Sequence, residues 1–234
     1  MSLAELSVAL GSPKSSLLSL LRPLVAEGYL VHGDSRYNLG PFIYRLAAAI
    51  LTTRNFPRLM RPYLEELAQR SGESVYLSVL DRDSGTVTHI DGIDTTQAVR
   101  YVSPLGAPRP LHCTAPGRLL LAYQDDAWRE SFIKTAKLKP MTAKTITDRN
   151  KLRQSVKKIR EEGISVSIGE LADGAAGVAA PIWGADGKVA AAFVIAAPAE
   201  RLQQKLPKFQ EMLVEVATQA SGVMRESGRG MAAA

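Results

Sequence analysis

The segment GSPKSSLLSLL, from Gly11 to Leu21, holds the end of one predicted helix and the beginning of another. Gly11 has no Cβ and can adopt the left-handed conformation that ends a helix over residues 2–10. Ser12 is a favourable N-cap, and Pro13 suits the first helical position, where no N–H is required. The next helix runs towards Ala26, and its leucines recur at helical spacing on one stripe: Leu17, Leu20, Leu21 and Leu24. Two short helices joined by a tight turn are typical of a helix-turn-helix.

The face of the second helix opposite that stripe carries small donors and cations but no carboxylate: Lys14, Ser15, Ser16, Ser19 and Arg22. Such a face can enter the major groove of DNA without repelling the phosphates. Two features fit less well. Leu18 lies on this outward face, and Pro23 inside the helix predicts a kink or an earlier helix end. The alternative interpretation is an ordinary pair of surface helices.

The residues that follow strengthen the DNA-binding interpretation. Tyr29–His32 and Arg36–Leu39 alternate like strands around a Gly-Asp-Ser turn and predict a short hairpin. A hairpin directly after a helix-turn-helix would form a wing, with Arg36 near the DNA backbone or minor groove. We therefore assign residues 1–40 to a winged helix-turn-helix domain that binds double-stranded DNA.

Composition limits the remaining possibilities. The net charge of +6 and the pI of about 9.5 favour a polyanionic partner. Much of the excess lies between Lys134 and Arg160, where a solvated helix face is favoured over a second DNA contact. The single cysteine, Cys113, excludes an internal disulfide and a cysteine-cluster zinc site. No apolar run is long enough to cross a bilayer, and no signal peptide is apparent at the N-terminus. We expect a soluble, cytoplasmic protein with no membrane partner, no metal and no cofactor.

The rest of the chain predicts an α+β domain. Phe42–Thr53 is apolar on two sides, so residues 41–55 are expected to form a linker helix that also packs on a second subunit. Residues 56–226 mix alternating strands with bracketing helices, and residues 227–234 are expected to be a tail. The strands of residues 56–226 come mostly as hairpins, which predicts an antiparallel sheet. One predicted strand spans Ala98–Val102, and the others begin at Glu73, Thr86, Ile164, Val178 and Lys188. Predicted helices begin at Gly117, Asp126, Asp148 and Pro207.

Two segments are candidates for chemistry. His112-Cys113 suggests a nucleophile, but neighbours in an extended chain point to opposite sides, so a buried small residue is the favoured role of Cys113. The segment TAPGR places Thr114 as the cap of a helix whose first amides, those of Gly117 and Arg118, can attract a small carboxylate. Arg100 or Arg109 can add a charge-assisted bond. Simple helix capping explains the same residues equally well.

With these residues placed, the chain resembles the IclR family of bacterial transcriptional regulators over nearly its whole length. The similarity is carried by the N-terminal helix pair with RYNLG, by LHCTAPGRLLLA and by GELADGAAGVAAPIWGADGKVAAAFVIAAP. It implies a winged helix-turn-helix followed by a GAF/PAS-like effector domain, an antiparallel sheet flanked by helices. It also implies a homodimer or homotetramer that binds a palindromic operator and responds to a small organic acid or aromatic effector. Relatives begin with one more helix, which is missing before Ser2.

Carried over by position, the resemblance implies an effector pocket lined by Tyr101, Arg109, Ala115, Pro116, Ser167, Glu170, Gly177, Val194 and Ala196, next to Thr114 and Gly117. Val194 and Ala196 stand where relatives often carry serines, which favours a larger or more aromatic ligand over a two-carbon acid. Ser19 stands where an arginine is usual, which gives Arg22 and Lys14 more weight in phosphate contact. The alternatives are a small-molecule sensor that has lost DNA binding and a Cys-dependent enzyme.

Overall fold

The computed structural model describes residues 1–43 and 55–231, and the chain divides into two compact units, Met1–Phe56 and Pro57–Ala234. The predicted linker helix falls almost wholly outside the described residues; only 41–43 are seen, as the start of a helix. No helix in the described ranges combines the length and the apolar character that a membrane span requires.

The first unit has the predicted order of helix, helix and hairpin. Helix α1 (Leu3–Leu10) begins with a capping box between Ser2 and Glu5 and ends at Gly11, which has a φ of 60°. Helix α2 spans Lys14–Ala26, and strands β1 (Leu30–Gly33) and β2 (Arg36–Leu39) form the hairpin. Its turn residues, Asp34 and Ser35, both have positive φ angles, as a tight two-residue hairpin turn requires.

Two details of α2 differ from the prediction, namely its N-cap and its buried stripe. Pro13, not Ser12, occupies the N-cap position, because the Ser12 hydroxyl turns back to the Leu10 carbonyl. The helix reaches Ala26, as predicted, and Pro23 does not end it earlier; the Glu27 amide bonds to the Pro23 carbonyl. A proline inside a helix removes one hydrogen bond and crowds the carbonyl of the preceding turn, and α2 nevertheless continues through Pro23.

The buried stripe of α2 also differs. Leu17 and Leu21 are buried as predicted, but Leu20 and Leu24 are 64% and 40% exposed. Leu18, which the sequence placed outward, is partly buried. The stripe therefore follows positions 17, 18, 21 and 25, and this choice between two neighbouring leucine rows depends on the contacts with α1 and β1 rather than on spacing.

The second unit confirms the α+β prediction. Its six antiparallel strands lie in the order β5-β4-β3-β8-β7-β6. The strands are β3 (Ser74–Asp81), β4 (Thr86–Ile93), β5 (Pro108–Pro110), β6 (Ser165–Ile168), β7 (Ala175–Trp183) and β8 (Val189–Pro198). The helices are α3 (Asn55–Ser71), α4 (Ala115–Ala122), α5 (Asp126–Thr135), α6 (Arg149–Glu162) and α7 (Ala199–Met231). Asp148 caps α6 and Gly163 ends it, as predicted.

Alternation along the central strands gives the sheet two covered faces. Tyr76, Ala179 and Val194 share one face and form a core cluster with the buried helix α4. Phe193, on the opposite face, is fully buried and lies 6.5 Å from the ring of Tyr63 on α3. Helix α7 packs on β7 and β8. Successive side chains of a strand point to opposite faces of the sheet. The face that carries Tyr76 and Val194 therefore packs against α4, and the candidate site lies on this same face.

Two element predictions in this unit are wrong. Residues 98–102 form no strand; instead Pro108–Pro110, for which no strand was expected, pairs with Thr86–Thr88 of β4 at the margin of the sheet. An outermost strand tolerates prolines because one of its sides needs no hydrogen bonds. The last helix starts at Ala199, contains Pro207 and continues beyond Glu226 to Met231, so the segment 227–231 is helical rather than part of a tail.

Candidate functional site

The TAPGR turn is a capped helix start whose amides are largely occupied. The Thr114 hydroxyl accepts the Gly117 N–H at 3.2 Å and donates to the Pro110 carbonyl at 3.0 Å. The Arg118 N–H bonds to the Thr114 carbonyl at 3.0 Å. The prediction of free amides at Gly117 and Arg118 is therefore wrong, because the Thr114 cap occupies the first and the first hydrogen bond of the helix occupies the second. Within residues 1–43 and 55–231 the Ala115 N–H donates to no protein acceptor, so it is available to a ligand.

Arg118 and Glu170 form a buried ion pair that fixes the loop after β6 to α4. Both guanidinium Nη atoms contact the carboxylate, Nη2 at 2.7 Å from Oε1, and the arginine also donates to the His112 and Val166 carbonyls. Their side chains are only 3% and 12% exposed. Glu170 thus faces Arg118 and does not line the cavity next to it.

A small cavity of about 50 Å³ lies beneath the first turn of α4. Nine of the residues proposed for the pocket line it: Tyr101, Arg109, Thr114, Ala115, Pro116, Ser167, Gly177, Val194 and Ala196. Gly117 and Glu170 lie outside its lining. His89, Cys113, Leu171, Ala175 and Ala176 complete the walls and were missed by sequence reasoning. Most of these are apolar, so the few polar groups determine what the cavity can bind.

Arg109 is the cation of the cavity. It is half-buried, and its guanidinium donates to the carbonyls of Ala107 and Pro104 at 3.0 and 3.3 Å. Within the described ranges, no carboxylate lies within ion-pair distance of Arg109. Its positive charge is therefore available to a bound anion. Ser167, by contrast, already donates its hydroxyl to the Cys113 carbonyl at 3.1 Å.

His89 is a buried, neutral group on the same wall. Its Nδ1 lies 2.8 Å from the Ser78 hydroxyl, and its ring stacks on Tyr76 with the centroids 4.6 Å apart. Burial lowers the pKa of His89 to about 3, and the positive charge of Arg109 acts in the same direction. No motif in the sequence marks this histidine, because strand pairing brings it to the cavity.

Cys113 shows none of the preparation that a nucleophile needs. The thiol is buried, and burial raises its pKa to about 11, so the thiolate is disfavoured. The neighbouring His112 uses Nε2 to contact the Lys139 carbonyl at 3.0 Å. These contacts argue against the Cys-dependent enzyme.

The residues proposed to face DNA are all accessible. Lys14, Ser15, Ser16, Ser19 and Arg22 are exposed along α2, and the Ser19 hydroxyl donates to the Ser16 carbonyl at 2.7 Å. Arg36 in β2 is also exposed, but its guanidinium pairs with Glu5 at 3.3 Å. Lys14 and Arg22 have no ion-pair partner in the part of the chain that the structure describes.

Comparison with known proteins gives the family. The model for the bacterial transcriptional regulator IclR C-terminal domain matches residues 48–222. An HTH-type transcriptional regulator of Mycobacterium tuberculosis is 34% identical over 203 residues, 86% of this chain and 76% of that protein. The Thermotoga maritima IclR structure has a TM-score of 0.76 at 26% identity, covering 96% of this chain and 91% of that one.

A third similar protein was solved with a ligand. The IclR homologue of Microbacterium hydrocarbonoxydans complexed with 4-hydroxybenzoate has a TM-score of 0.78 at 25% identity, covering 97% of this chain and 92% of that one. The family model spans well over half of the residues, and the helix-helix-hairpin unit precedes the predicted antiparallel sheet in the sequence. The chain belongs to the IclR family of bacterial transcriptional regulators.

Proposed function

We propose that this transcriptional regulator binds operator DNA through α2 and changes its operator affinity when a small carboxylic acid occupies the cavity beneath α4. The unpaired Arg109 carries the proposal, because a cation in an otherwise mostly apolar cavity favours an anionic ligand with an apolar body. The Ala115 N–H, at the positive end of the α4 dipole, supplies a second donor.

The size of the cavity limits which acids it can hold without rearrangement. About 50 Å³ holds only one or two water molecules, so a ring-bearing acid requires the walls to move apart. Val194 and Ala196 offer an apolar wall to such a ring. The 4-hydroxybenzoate bound by the Microbacterium homologue combines a ring with a carboxylate, and it is therefore the first probe to use.

The DNA-binding residues of the proposal are Lys14, Ser15, Ser16, Ser19 and Arg22 in α2, with Arg36 from the wing. Two copies of α2, from a dimer or a tetramer, would read the two halves of a palindromic operator. Because its target is chromosomal DNA, we expect the protein to act in the cytoplasm. For acid binding to change the affinity for the operator, the acid must bind the DNA-competent and DNA-incompetent states with different affinities.

The role of α2 is tested by the salt dependence of operator binding. Arg22→Ala should weaken binding and reduce the slope of log K against log salt by about 1, because one phosphate contact is lost. Lys157→Ala on the exposed face of α6 removes the same charge and serves as the matched control. Equal slopes for Arg22→Ala and the wild type would overturn the assignment of α2. Absence of any shift with the chain's own upstream DNA would favour the sensor that has lost DNA binding.

The cavity is tested by calorimetric titration with 4-hydroxybenzoate. Arg109→Met keeps an unbranched, flexible side chain and removes the charge, so it should lower affinity by at least about tenfold, the usual cost of losing a charged hydrogen bond. Arg82→Met, on the exposed turn between β3 and β4, is the control. Wild-type affinity in Arg109→Met would reject Arg109 as the anion-binding residue.

A further inference from the structure

Strand β4 contains a bulge that determines which face His89 occupies. Leu77 pairs with Asp91, but the next residue of β3, Ser78, pairs with His89, so Ile90 is an extra residue in β4. In a regular register Ser78 would oppose Ile90, and His89 would lie on the opposite face of the sheet. The bulge therefore turns His89 towards α4 and the cavity. Bulges are common beside functional sites, where they redirect a side chain.

The contact with Ser78 fixes the tautomer of His89. The Ser78 side chain is fully buried, and Nδ1 of His89 is the one acceptor within hydrogen-bonding distance of its hydroxyl among the described residues. A buried hydroxyl hydrogen needs an acceptor. The Ser78 hydroxyl therefore donates to Nδ1, and the ring proton of the neutral imidazole lies on Nε2.

The ring is also held in place from the side. Its stacking partner Tyr76 donates its hydroxyl to Asp94 at 2.5 Å and accepts the Ser103 N–H at 3.0 Å. Tyr76 is thus anchored at both its ring and its hydroxyl. His89 is only 5% exposed, and its Nε2–H has no acceptor among residues 1–43 and 55–231. Nε2 is not among the fully buried, unpartnered side-chain atoms of the described residues, so it keeps access to the cavity that His89 lines, where an oxygen of a ligand or of water can accept its hydrogen bond.

We propose that His89 determines effector specificity by donating a hydrogen bond from Nε2 to an oxygen of the bound acid. This inference rests on the proposed function of the cavity. Arg109 attracts negative charge from any direction, whereas the fixed Nε2–H requires an acceptor atom at one position. Ligands that present only donors there, such as amines, leave the Nε2–H unpaired and are rejected.

The test compares two replacements of His89 by calorimetry with 4-hydroxybenzoate. His89→Phe keeps the flat ring and removes the donor, so we expect affinity to fall by about 10- to 100-fold, the range for a hydrogen bond to a charged group. His89→Gln keeps an N–H donor close to the position of Nε2 and should retain affinity within about threefold of the wild type. His112→Phe, a buried histidine outside the cavity lining, controls for the loss of a buried imidazole. Unchanged affinity in His89→Phe would overturn the inference and leave the role of Arg109 intact.

A second measurement does not depend on effector binding. Nitrogen-15 NMR of the histidines distinguishes the two neutral tautomers, and the wild-type protein should show His89 as the Nε2–H form. Ser78→Ala should release that preference, which identifies the His89 signal. Should wild-type protein bind neither 4-hydroxybenzoate nor benzoate, the proposed ligand class fails. The NMR result then decides the inference: an Nδ1–H or doubly protonated ring at neutral pH contradicts it, and an Nε2–H ring supports it.

Discussion

Two glycines of the candidate site differ in what an added methyl group would meet. A Cβ on Gly177 would lie 3.7 Å from Ala115 Cβ and from Val194 Cγ1, which is ordinary contact. On Gly117 it would lie 2.4 Å from Thr114 Oγ1 and 2.6 Å from Leu111 Cα. Gly177→Ala should therefore fold normally and bind 4-hydroxybenzoate more weakly, because the methyl group occupies the cavity.

Gly117→Ala is the matched comparison. It should lose about 1 to 3 kcal/mol of unfolding free energy, because the clash involves backbone atoms that cannot turn away. Urea denaturation of both variants, followed by ligand titration, checks the pair. A stable Gly117→Ala, or a Gly177→Ala with undiminished ligand affinity, would contradict this description of the α4 turn.

The buried imidazole of His89 should make stability depend on pH. Its folded-state pKa of about 3 lies below the ordinary 6.5, so between these values the unfolded chain binds more protons and stability falls as the pH falls. Between pH 6 and pH 5 the loss from this group is about 1 kcal/mol. Urea denaturation should show a smaller loss for His89→Gln over this interval. The burial of His112 lowers its pKa too, but it contributes equally to both proteins. If stability fell equally with pH in the wild type and in His89→Gln, His89 would be charged in the folded state over this interval.

At the scale of elements, the sequence predicted correctly the helix ends that depend on the chemistry of one or two local residues. Gly11, Thr114, Asp148 and Gly163 mark helix ends by their own backbone and side-chain chemistry, and the structure places helix termini at each. The pattern of residues 98–102 predicts a strand there, yet β5 lies at Pro108–Pro110. Which segment joins the margin of a sheet depends on the partner strand, and a single sequence does not contain that information.

The contact between α4 and the loop after β6 depends on one buried pair. Glu170→Gln should cost about 3 to 5 kcal/mol of unfolding free energy, because it leaves the Arg118 charge buried without a counter-ion. Glu161→Gln, in a surface pair with Lys157, changes the same atoms where solvent screens the charge and should leave stability unchanged within error. Chemical denaturation of the two variants measures the difference. Similar stabilities would show that the Arg118 charge is solvated by other means.

At the scale of the whole molecule, the sequence predicted a DNA-binding part before a sheet domain, because the helix-helix-hairpin pattern of residues 1–40 differs from the alternating strands and bracketing helices that follow. It did not predict that His89 joins Ser167 and Arg109 in one cavity, since a single extra residue in β4 reverses the face of that histidine. Pairing register of this kind arises from contacts among distant strands. Motif similarity located most of the cavity, and only geometry separated its lining from the Arg118–Glu170 pair beside it.

The division into two compact units gives a prediction for the second one. A fragment of residues 57–234 should fold with one cooperative transition and bind 4-hydroxybenzoate with the affinity of the full chain, because the cavity lies wholly within that unit. It should not bind operator DNA, since α2 is absent. Calorimetry and circular dichroism on the fragment check both statements. An unfolded fragment, or one with much weaker ligand affinity, would show that the cavity requires the N-terminal unit.

The prolines of β5 have a consequence for the behaviour of the protein in concentrated solution. This strand forms one border of the sheet, and two of its three residues, Pro108 and Pro110, have no N–H to offer to a further strand. An extended segment of another molecule therefore cannot form a continuous row of backbone hydrogen bonds along that border. The sheet is protected on this side from the fibril-like stacking that open strands invite, without any need for a covering helix.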